Sequence, residues 1–101
     1  MSSVGLSDPR LLRLAPGDNV LIVIATITAG EPFDVEGVSV ATPVALPIGF
    51  KVAARDLEEG SLAIRYGMPI GRTTRPIGRG ELVHTHNLES LYLRTHARGE
   101  A

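Results

Sequence analysis

One local pattern occurs four times along the chain and limits the folds that it can adopt. In each copy an apolar residue is followed by glycine three positions later, and by a second apolar residue after three more. Glycine suits the turn position that requires a positive φ, and the second apolar residue begins the next strand. The copies are Ile27-x-x-Gly30-x-x-Phe33, Leu46-x-x-Gly49-x-x-Val52, Leu57-x-x-Gly60-x-x-Ala63 and Ile77-x-x-Gly80-x-x-Val83.

The spacing of these corners excludes a regular solenoid repeat, because successive corner glycines are 19, 11 and 20 residues apart. Prolines are scattered among the turns, and no proline-free stretch has a convincing helical period. The pattern therefore predicts an all-β protein of short strands and sharp Gly/Pro corners, with at most single helical turns. One helical turn is expected at Asp56-Leu57-Glu58-Glu59, with Asp56 as its N-cap.

The composition fits a single small domain with an aliphatic core. The chain has 101 residues, of which 44% are apolar and only 4% aromatic, which suffices for one modest core. We expect the domain to span residues 10–93, between flexible tails at residues 1–9 and 94–101. The predicted strands include Arg10–Leu14 and Val20–Thr28, and Leu88–Leu93 is expected to extend as a strand or arm.

Several classes of function are excluded by composition. The chain has no cysteine, so it has no disulfide, thiolate metal site or cysteine nucleophile. Its formal charge is −1, without the basic excess by which nucleic-acid binders neutralise phosphates. The longest apolar run, Val20–Ala29, is too short to span a bilayer. With no signal-peptide pattern at its start, the chain is expected to be cytoplasmic, without membrane or nucleic-acid partners.

The sharpest candidate for a functional site is His84-Thr85-His86-Asn87. If this segment is a strand, His84 and His86 project on the same side, because side chains alternate along a strand. Two imidazoles on one face can bind a metal ion or an anionic substrate, and the Asn87 amide can donate and accept beside them. The alternative is a pair of exposed or hydrogen-bonded histidines, since His-x-His is a short and common pattern.

A second candidate lies in the segment Tyr66–Arg75. Gly67 and Gly71 allow the backbone to approach a ligand closely, and the Arg72 guanidinium can bind a carboxylate. The alternative is an ordinary β-turn with a surface arginine. His96, in a charged C-terminal stretch, is expected to be solvated.

Four segments resemble the N-terminal domain of the altronate and galactarate dehydratases, the UxaA family. They occur in the family's order with compatible spacing, from Leu14 to Leu88. The segments are Leu14–Val20, similar to the family's Pro-x-Asp-Asn-Val opening, Gly49–Gly60, similar to GHKIALRDIAAG, Ile64–Thr74, similar to IKYGEPIGRAT, and Ile77–Leu88, similar to IAAGEWVHTHNL. Phe50 stands where the family often has histidine.

The resemblance implies a SAF domain with a β-clip fold. In the family this domain is either fused in front of a large catalytic region or encoded as a small subunit, and this chain looks like the small subunit, inactive by itself. Members dehydrate sugar acids such as altronate or galactarate and use iron(II) or another divalent metal. We expect that metal to be shared with the large subunit. A relative of the small-subunit type belongs to a lyase that expels sulfite from sulfolactate.

The resemblance also implies roles for individual residues. His84 and His86 are candidates for metal ligation or acid–base catalysis, because elimination beside a carboxylate needs a base and an electrophile. Asn87 is expected to orient substrate hydroxyls as part of the same catalytic group. The candidates for substrate binding are Arg72 and Lys51, which can hold a carboxylate, and Thr85.

Functions of other classes stay open. One is a stand-alone module that binds a carbohydrate or sugar acid, and another is a structural oligomerisation domain in which His84 and His86 only form hydrogen bonds. SAF folds also occur in ice-binding and pilus-assembly proteins. The arginines between Arg55 and Arg79 do not suit an ice-binding face, and pilus-assembly proteins carry an export or membrane segment. A homo-oligomer is conceivable through pairing of Val35–Val44.

Overall fold

The structure, a computed structural model, describes residues 7–91. Its strands are β1 (Leu11–Leu12), β2 (Val20–Val23), β3 (Phe33–Val35), β4 (Val38–Val40), β5 (Lys51–Ala53), β6 (Leu62–Arg65), β7 (Met68–Thr73), β8 (Leu82–Val83) and β9 (Leu88–Ser90). They form three antiparallel sheets: a four-stranded sheet in the order β1-β2-β5-β8, the β3-β4 pair, and a three-stranded sheet in the order β6-β7-β9. The prediction of an all-β fold with short strands is confirmed.

All four corners of the sequence pattern form turns. The corner glycines have φ values between 78° and 93°, and the residue after each glycine donates its N–H to the carbonyl three residues earlier. The leading apolar residues pair across the fold, Ile27 with Leu46 and Leu57 with Ile77. The trailing apolar residues lie in β3, β5, β6 and β8, and the leading and trailing residues are all buried.

The corners are arranged in two similar halves. Each half contains a corner, a β-hairpin and a second corner, and the hairpins are β3-β4 and β6-β7. Both hairpins turn at two residues with positive φ, Glu36-Gly37 and Tyr66-Gly67, as type I′ turns require. Corresponding corner glycines of the two halves are 30 and 31 residues apart. The uneven glycine spacing in the sequence therefore reflects a duplicated unit.

The core consists of two clusters of buried residues, one from each half. The four-stranded sheet separates the clusters, because successive residues of β2 and β5 face opposite sides. Leu21 and Val52 belong to the first cluster, and Val20 and Ala53 belong to the second. Phe50 and Leu82 pack at the edge of the first cluster. Two small aliphatic cores on one shared sheet replace the single core that the composition predicted.

The helical turn predicted at Asp56–Glu59 does not form. Leu57 instead exchanges two backbone hydrogen bonds with Ile77, at 2.8 and 2.9 Å. Asp56 Oδ1 accepts the N–H of Arg79 at 2.9 Å, across the fold, and does not cap a helix. Tertiary pairing of the corner residues therefore overrides the local capping signal.

The observed strands are shorter than those predicted. Leu11–Leu12 is the strand within the predicted Arg10–Leu14, and Val20–Val23 is the strand within the predicted Val20–Thr28. β9 ends at Ser90, and residues 92 and 93 of the predicted arm lie outside the described residues, as do His96, residues 1–6 of the proposed tail at 1–9, and the proposed tail at 94–101. The Asp8 N–H donates to the Asp34 carbonyl of β3 at 2.7 Å.

Residues 7–91 contain no helix that could span a membrane.

Candidate functional site

The two histidines lie in a turn that joins β8 to β9, so the strand geometry assumed for them is wrong. This turn connects the four-stranded sheet to the three-stranded sheet. The side chains of His84, Thr85 and His86 are exposed, whereas Asn87 is fully buried. We call residues 84–87 the histidine turn. It presents three polar side chains to solvent from a short and well-anchored segment.

Asn87 determines the shape of the histidine turn. Its Oδ1 accepts the backbone N–H of His84 at 2.9 Å, and its Nδ2 donates to the Leu82 carbonyl at 2.8 Å. Its backbone carbonyl also accepts the N–H of Thr74, at 3.0 Å, which ties the turn to the end of β7. Both polar ends of the Asn87 side chain are therefore bonded to backbone. In this arrangement the side chain supports the turn and leaves no atom facing a substrate hydroxyl.

His84 packs against Phe50. The two ring centroids are 5.2 Å apart and the ring planes meet at 33°. The contact follows from the strand register, because Lys51 pairs with Val83 and the residues before and after them are then opposite each other. The position at which this sequence departs from the resembling family, Phe50, is thus a direct neighbour of the first histidine.

His86 lies at the edge of a cleft of about 640 Å³. The cleft is bounded by residues 41–44 on one side and by the fourth corner, Gly78–Leu82, on the other. Two charged residues of that corner, Arg79 and Glu81, also contribute to its wall. Glu81 Oε1 accepts the N–H of Gly78 at 2.8 Å, so this carboxylate is held within the corner. The cleft therefore combines a mostly apolar lining with a fixed carboxylate and the exposed imidazole of His86.

The other predicted substrate ligands lie outside the lining of this cleft. Arg72 is exposed on β7, and its Nη1 donates to the Gly60 carbonyl at 2.8 Å. Lys51 is half-buried at the first position of β5. Burial and the nearby Arg65 lower the pKa of Lys51 below its ordinary value. The structure therefore brings His84, Thr85 and His86 together, but it does not bring Arg72 or Lys51 to His86.

Lys51 and His84 lie at the same end of the four-stranded sheet but on opposite faces. Lys51 shares a face with its register partner Val83, which belongs to the second core cluster. Phe50 precedes Lys51 and contacts both the first cluster and His84. A ligand in the His86 cleft is therefore separated from the Lys51 ammonium by the sheet.

Asp18 is a buried carboxylate whose role the sequence analysis did not recognise. Its oxygens accept the backbone N–H groups of Tyr66 and Gly67, each at 2.8 Å, and that of Ala15 at 3.0 Å. Burial by itself would raise the pKa of Asp18, but these hydrogen bonds outweigh it and lower the pKa below its ordinary value. The carboxylate thus holds the tip of the β6-β7 hairpin against the start of β2.

Asn19 continues the same connection. Its Oδ1 accepts the N–H of Ile64 at 2.7 Å, and its Nδ2 donates to the Leu62 carbonyl at 2.9 Å. The side chain therefore pairs with the edge strand β6 as a strand backbone would. In the sequence, both residues belong to the Asp-Asn pair of the Leu14–Val20 segment. In the structure, the two side chains stabilise the fold by binding the β6-β7 hairpin.

The described residues do not form a complete metal site. Within residues 7–91, no group of three or more His, Cys, Asp or Glu side chains is placed to hold a metal ion. His84 and His86 can supply two imidazoles, whereas divalent metal sites use four or more ligands. Any metal bound at the histidine turn would need further ligands from outside these residues.

These features define a small all-β domain of paired corners, with an anchored histidine turn beside an open cleft. The family described as the altronate/galactarate dehydratase SAF domain matches residues 9–91. The chain therefore belongs to the altronate/galactarate dehydratase SAF-domain family, as the sequence resemblance indicated.

Three relatives agree with this membership. Altronate dehydratase of Bacillus subtilis is 32% identical over 78% of this chain, and that of Escherichia coli is 34% identical over 77%. Each match covers 16% of the dehydratase. The (2R)-sulfolactate sulfo-lyase subunit alpha of Chromohalobacter salexigens is 48% identical over 46% of this chain and 49% of that subunit. The chain thus spans about a sixth of the dehydratases and matches half of a much shorter relative.

Proposed function

We propose that this chain is the small subunit of a carbon–oxygen lyase that dehydrates a sugar acid of the altronate or galactarate type. It would form part of the active site together with a large catalytic subunit and would be inactive alone. The observation that carries the proposal is the family match over residues 9–91, together with two exposed histidines on an anchored turn. The dehydratase relatives are about six times as long as the match, which leaves most of their catalytic machinery outside this domain.

The histidine turn has properties that suit elimination of water from a hydroxy acid. Such an elimination removes the proton next to the carboxylate and protonates the departing hydroxyl. An imidazole ring can accept a proton at one nitrogen or donate one, so His84 or His86 can serve as the base or the acid. Both side chains are exposed and reachable by a substrate bound on a partner. Asn87 acts here as a positioning residue, because it holds the backbone between them.

We propose iron(II) or another divalent metal as a cofactor shared with the large subunit. As the alternative to acid–base catalysis, His84 and His86 would contribute two of its ligands, and the large subunit would supply the others. Imidazole nitrogen suits several divalent metals, so the ligand type does not select among them. Removal of the metal with a chelator is expected to abolish activity of the complex while leaving this chain folded, because its two core clusters contain no metal ligand.

A second candidate substrate is a sulfo acid. The sulfo-lyase subunit is itself a chain of about this length, and its identity over the matched half is higher than that of either dehydratase. Expulsion of sulfite and expulsion of water are both eliminations next to a carboxylate, and they differ in the leaving group. The substrate screen should therefore include sulfolactate beside altronate and galactarate.

The test is co-purification of the tagged chain from its native lysate, followed by assay of any complex. We expect a much longer dehydratase-type chain to co-purify near one-to-one, with lyase activity that depends on a divalent metal. His86→Ala and His84→Ala should each lower kcat by about tenfold or more, about 1.4 kcal/mol of transition-state stabilisation. Ser39→Ala, an exposed change on β4, serves as the matched control.

Two results would contradict the proposal. If the chain is recovered alone and binds sugar acids without a partner, a stand-alone binding module is the better description. If the complex forms and both histidine variants keep full activity, the domain has an oligomerisation role and the turn is structural.

A further inference from the structure

We propose that the His86 cleft is a docking groove for an extended segment of the large catalytic chain, which pairs as an added strand with the backbone at residues 40–42. We call residues 40–42 the open edge. This role rests on the proposed function, because its occupant is the large subunit. It deepens that function by assigning the contact between the two chains to backbone pairing and an apolar wall.

The two halves of the domain can be compared position by position at this edge. In the first half the Thr42 carbonyl accepts the N–H of Gly30 at 2.7 Å, and in the second half the Thr73 carbonyl accepts the N–H of Gly60 at 2.9 Å. Each glycine is the first corner glycine of its half, and each threonine lies four residues before the leading residue of the second corner. Thr42 therefore corresponds to Thr73, and their neighbours correspond in turn.

The second half covers this edge with a strand of its own. β9 pairs antiparallel with the end of β7, where Arg72 lies opposite Glu89. The first half has no strand in the corresponding place, since within residues 7–91 β4 pairs with β3 alone. An extended segment is thus the kind of structure that completes this unit, and one of the two copies lacks it in the described part of the chain.

Ala41 supplies the unpaired backbone groups of the open edge. It corresponds to Arg72, and the carbonyl of the next residue, Thr42, is already bonded to Gly30. Backbone groups of successive strand residues point to opposite sides, so those of Ala41 point outward. The N–H and carbonyl of Ala41 form no hydrogen bond with any other described residue. Such an edge is suited to addition of a strand from another chain.

The surface beside the open edge is apolar although the fold does not require it to be. Five exposed apolar residues follow the open edge, namely Pro43, Val44, Ala45, Pro47 and Ile48. The corresponding residues of the second half are Thr74, Arg75, Pro76, Gly78 and Arg79. Because the same corner forms with two arginines there, its local geometry does not explain the apolar version. Burial against a protein partner does explain it.

The position of His86 assigns this surface to the large catalytic chain. Ala41 and Val44 line one wall of the cleft, and His86 lies at its edge. A strand paired with Ala41 brings neighbouring groups of the large chain beside the imidazole, where the described residues do not complete a metal site. A small polar ligand would leave the apolar wall exposed, whereas a chain segment covers it.

The first experiment compares amide hydrogen exchange in the full chain alone and in its complex with the co-purified large chain. The Ala41 N–H should exchange freely in the isolated chain and slow by about a hundredfold or more in the complex, because strand pairing protects it from water. The Arg55 N–H also forms no hydrogen bond among the described residues. It should exchange at the same rate in both states.

The second experiment measures the affinity of the purified large chain for variants of this chain. Ala41→Pro removes the outward N–H at an edge position, and Val44→Lys places a charge on the apolar wall. Each should weaken binding by about tenfold or more while its ¹H–¹⁵N spectrum shows a folded chain. Ile24→Lys is the matched control and should bind normally, because Ile24 is 46% exposed, Val44 is 47% exposed, and Ile24 lies outside the cleft lining.

The outcomes separate this role from the lyase function itself. An active complex in which Ala41 exchanges as in the free chain, or in which both Ala41→Pro and Val44→Lys bind as tightly as the parent, overturns the docking groove and leaves the lyase function standing. Recovery of this chain without a large chain contradicts both. If the isolated chain dimerises and its Ala41 N–H becomes protected, the occupant is a second copy of this chain, which also refutes the assignment.

Discussion

His84 and Asn87 are joined by two hydrogen bonds in opposite directions. The Asn87 side chain accepts the N–H of His84 at 2.9 Å, and the backbone N–H of Asn87 donates to the carbonyl of His84 at 3.0 Å. The buried residue at the end of the histidine turn therefore fixes the backbone of the exposed residue at its start. The candidate site depends on a side chain that faces away from any ligand.

Asn87→Ala is expected to destabilise the chain by about 2–3 kcal/mol. The change removes two hydrogen bonds and leaves the His84 N–H and the Leu82 carbonyl without their buried partners. Urea unfolding of the full chain measures this loss. Thr85→Ala, an exposed change in the same turn, should stay within about 0.5 kcal/mol of the parent. Equal stability of the two variants would show that the Asn87 bonds do not hold the turn.

Asp18 is expected to make the stability of the domain depend on acid pH. The pKa of Asp18 is lowered in the folded state. As the pH falls, the unfolded chain therefore takes up a proton at this carboxylate before the folded chain does, and the free energy of unfolding rises with pH over that range. The stabilisation is fully present above about pH 4 and is lost as the pH falls through the folded pKa.

Asp18→Asn should flatten this acid limb and lower stability at neutral pH, when unfolding is measured between acid and neutral pH. Asp34→Asn, at an exposed position on β3, is the control. If Asp18→Asn keeps the same pH dependence as the parent, other carboxyl groups are responsible, such as Asp8 and Glu31, whose pKa values are also lowered.

Gly80 and Gly60 provide a matched pair of corner substitutions. Both have positive φ, 83° and 88°, so alanine costs about 1–2 kcal/mol of backbone strain at either site. A Cβ at Gly80 would also clash with Val40 Cγ2, whereas at Gly60 it meets nothing within 4 Å. Gly80→Ala should therefore be the more destabilising by about 1–3 kcal/mol.

The same unfolding measurement can isolate the Val40 contact. In the Gly80→Ala/Val40→Ala double variant the clash is removed, so its loss of stability should be smaller than the sum of the two single losses. Simple additivity would mean that Val40 does not limit the space at this corner.

Lys51→Met is expected to raise stability at neutral pH by up to about 1 kcal/mol, since surface changes are usually small. The pKa of Lys51 is lowered by burial and by Arg65, so the protonated form is disfavoured in the fold. The stability of the parent chain therefore rises as the pH increases through the folded-state pKa of Lys51, and the difference in stability between the parent and Lys51→Met becomes smaller. Arg65→Gln should raise the pKa of Lys51, which ¹³C NMR measures directly. An unchanged Lys51 pKa in that variant would show that the charge of Arg65 does not act on Lys51.

The parts of the fold that the sequence predicted are those set by local chemistry. The corner glycines and their flanking apolar residues, such as Gly30 with Ile27 and Phe33, behave as expected, because positive φ and burial are requirements of single positions. The helical turn at Asp56 was wrong because the residues that compete with it, Ile77 and Arg79, are distant in sequence. Local capping energy is small compared with a pair of cross-fold backbone bonds.

The candidate site shows where prediction of geometry from the sequence ends. His84 and His86 were found from their spacing, but their turn conformation depends on the buried Asn87, and the cleft beside His86 exists because residues 41–44 come to lie opposite the fourth corner. No spacing rule reports such a juxtaposition. Likewise, Asp18 and Asn19 were part of a recognisable segment, while their bonds to the β6-β7 hairpin span more than 40 residues.

The class of fold, the family and the segment that carries the histidines can be read from the sequence alone. Each of these depends on short sequence patterns that reflect requirements of single positions or short segments: a glycine that must have positive φ, an apolar residue that must be buried, and a polar triplet that follows a short strand. The packed fold is needed to show which polar residues support the turns and which face solvent, and that Lys51 lies on the opposite face of the sheet from His84. Burial and partner choice depend on residues brought together from both halves, so they are properties of the packed chain.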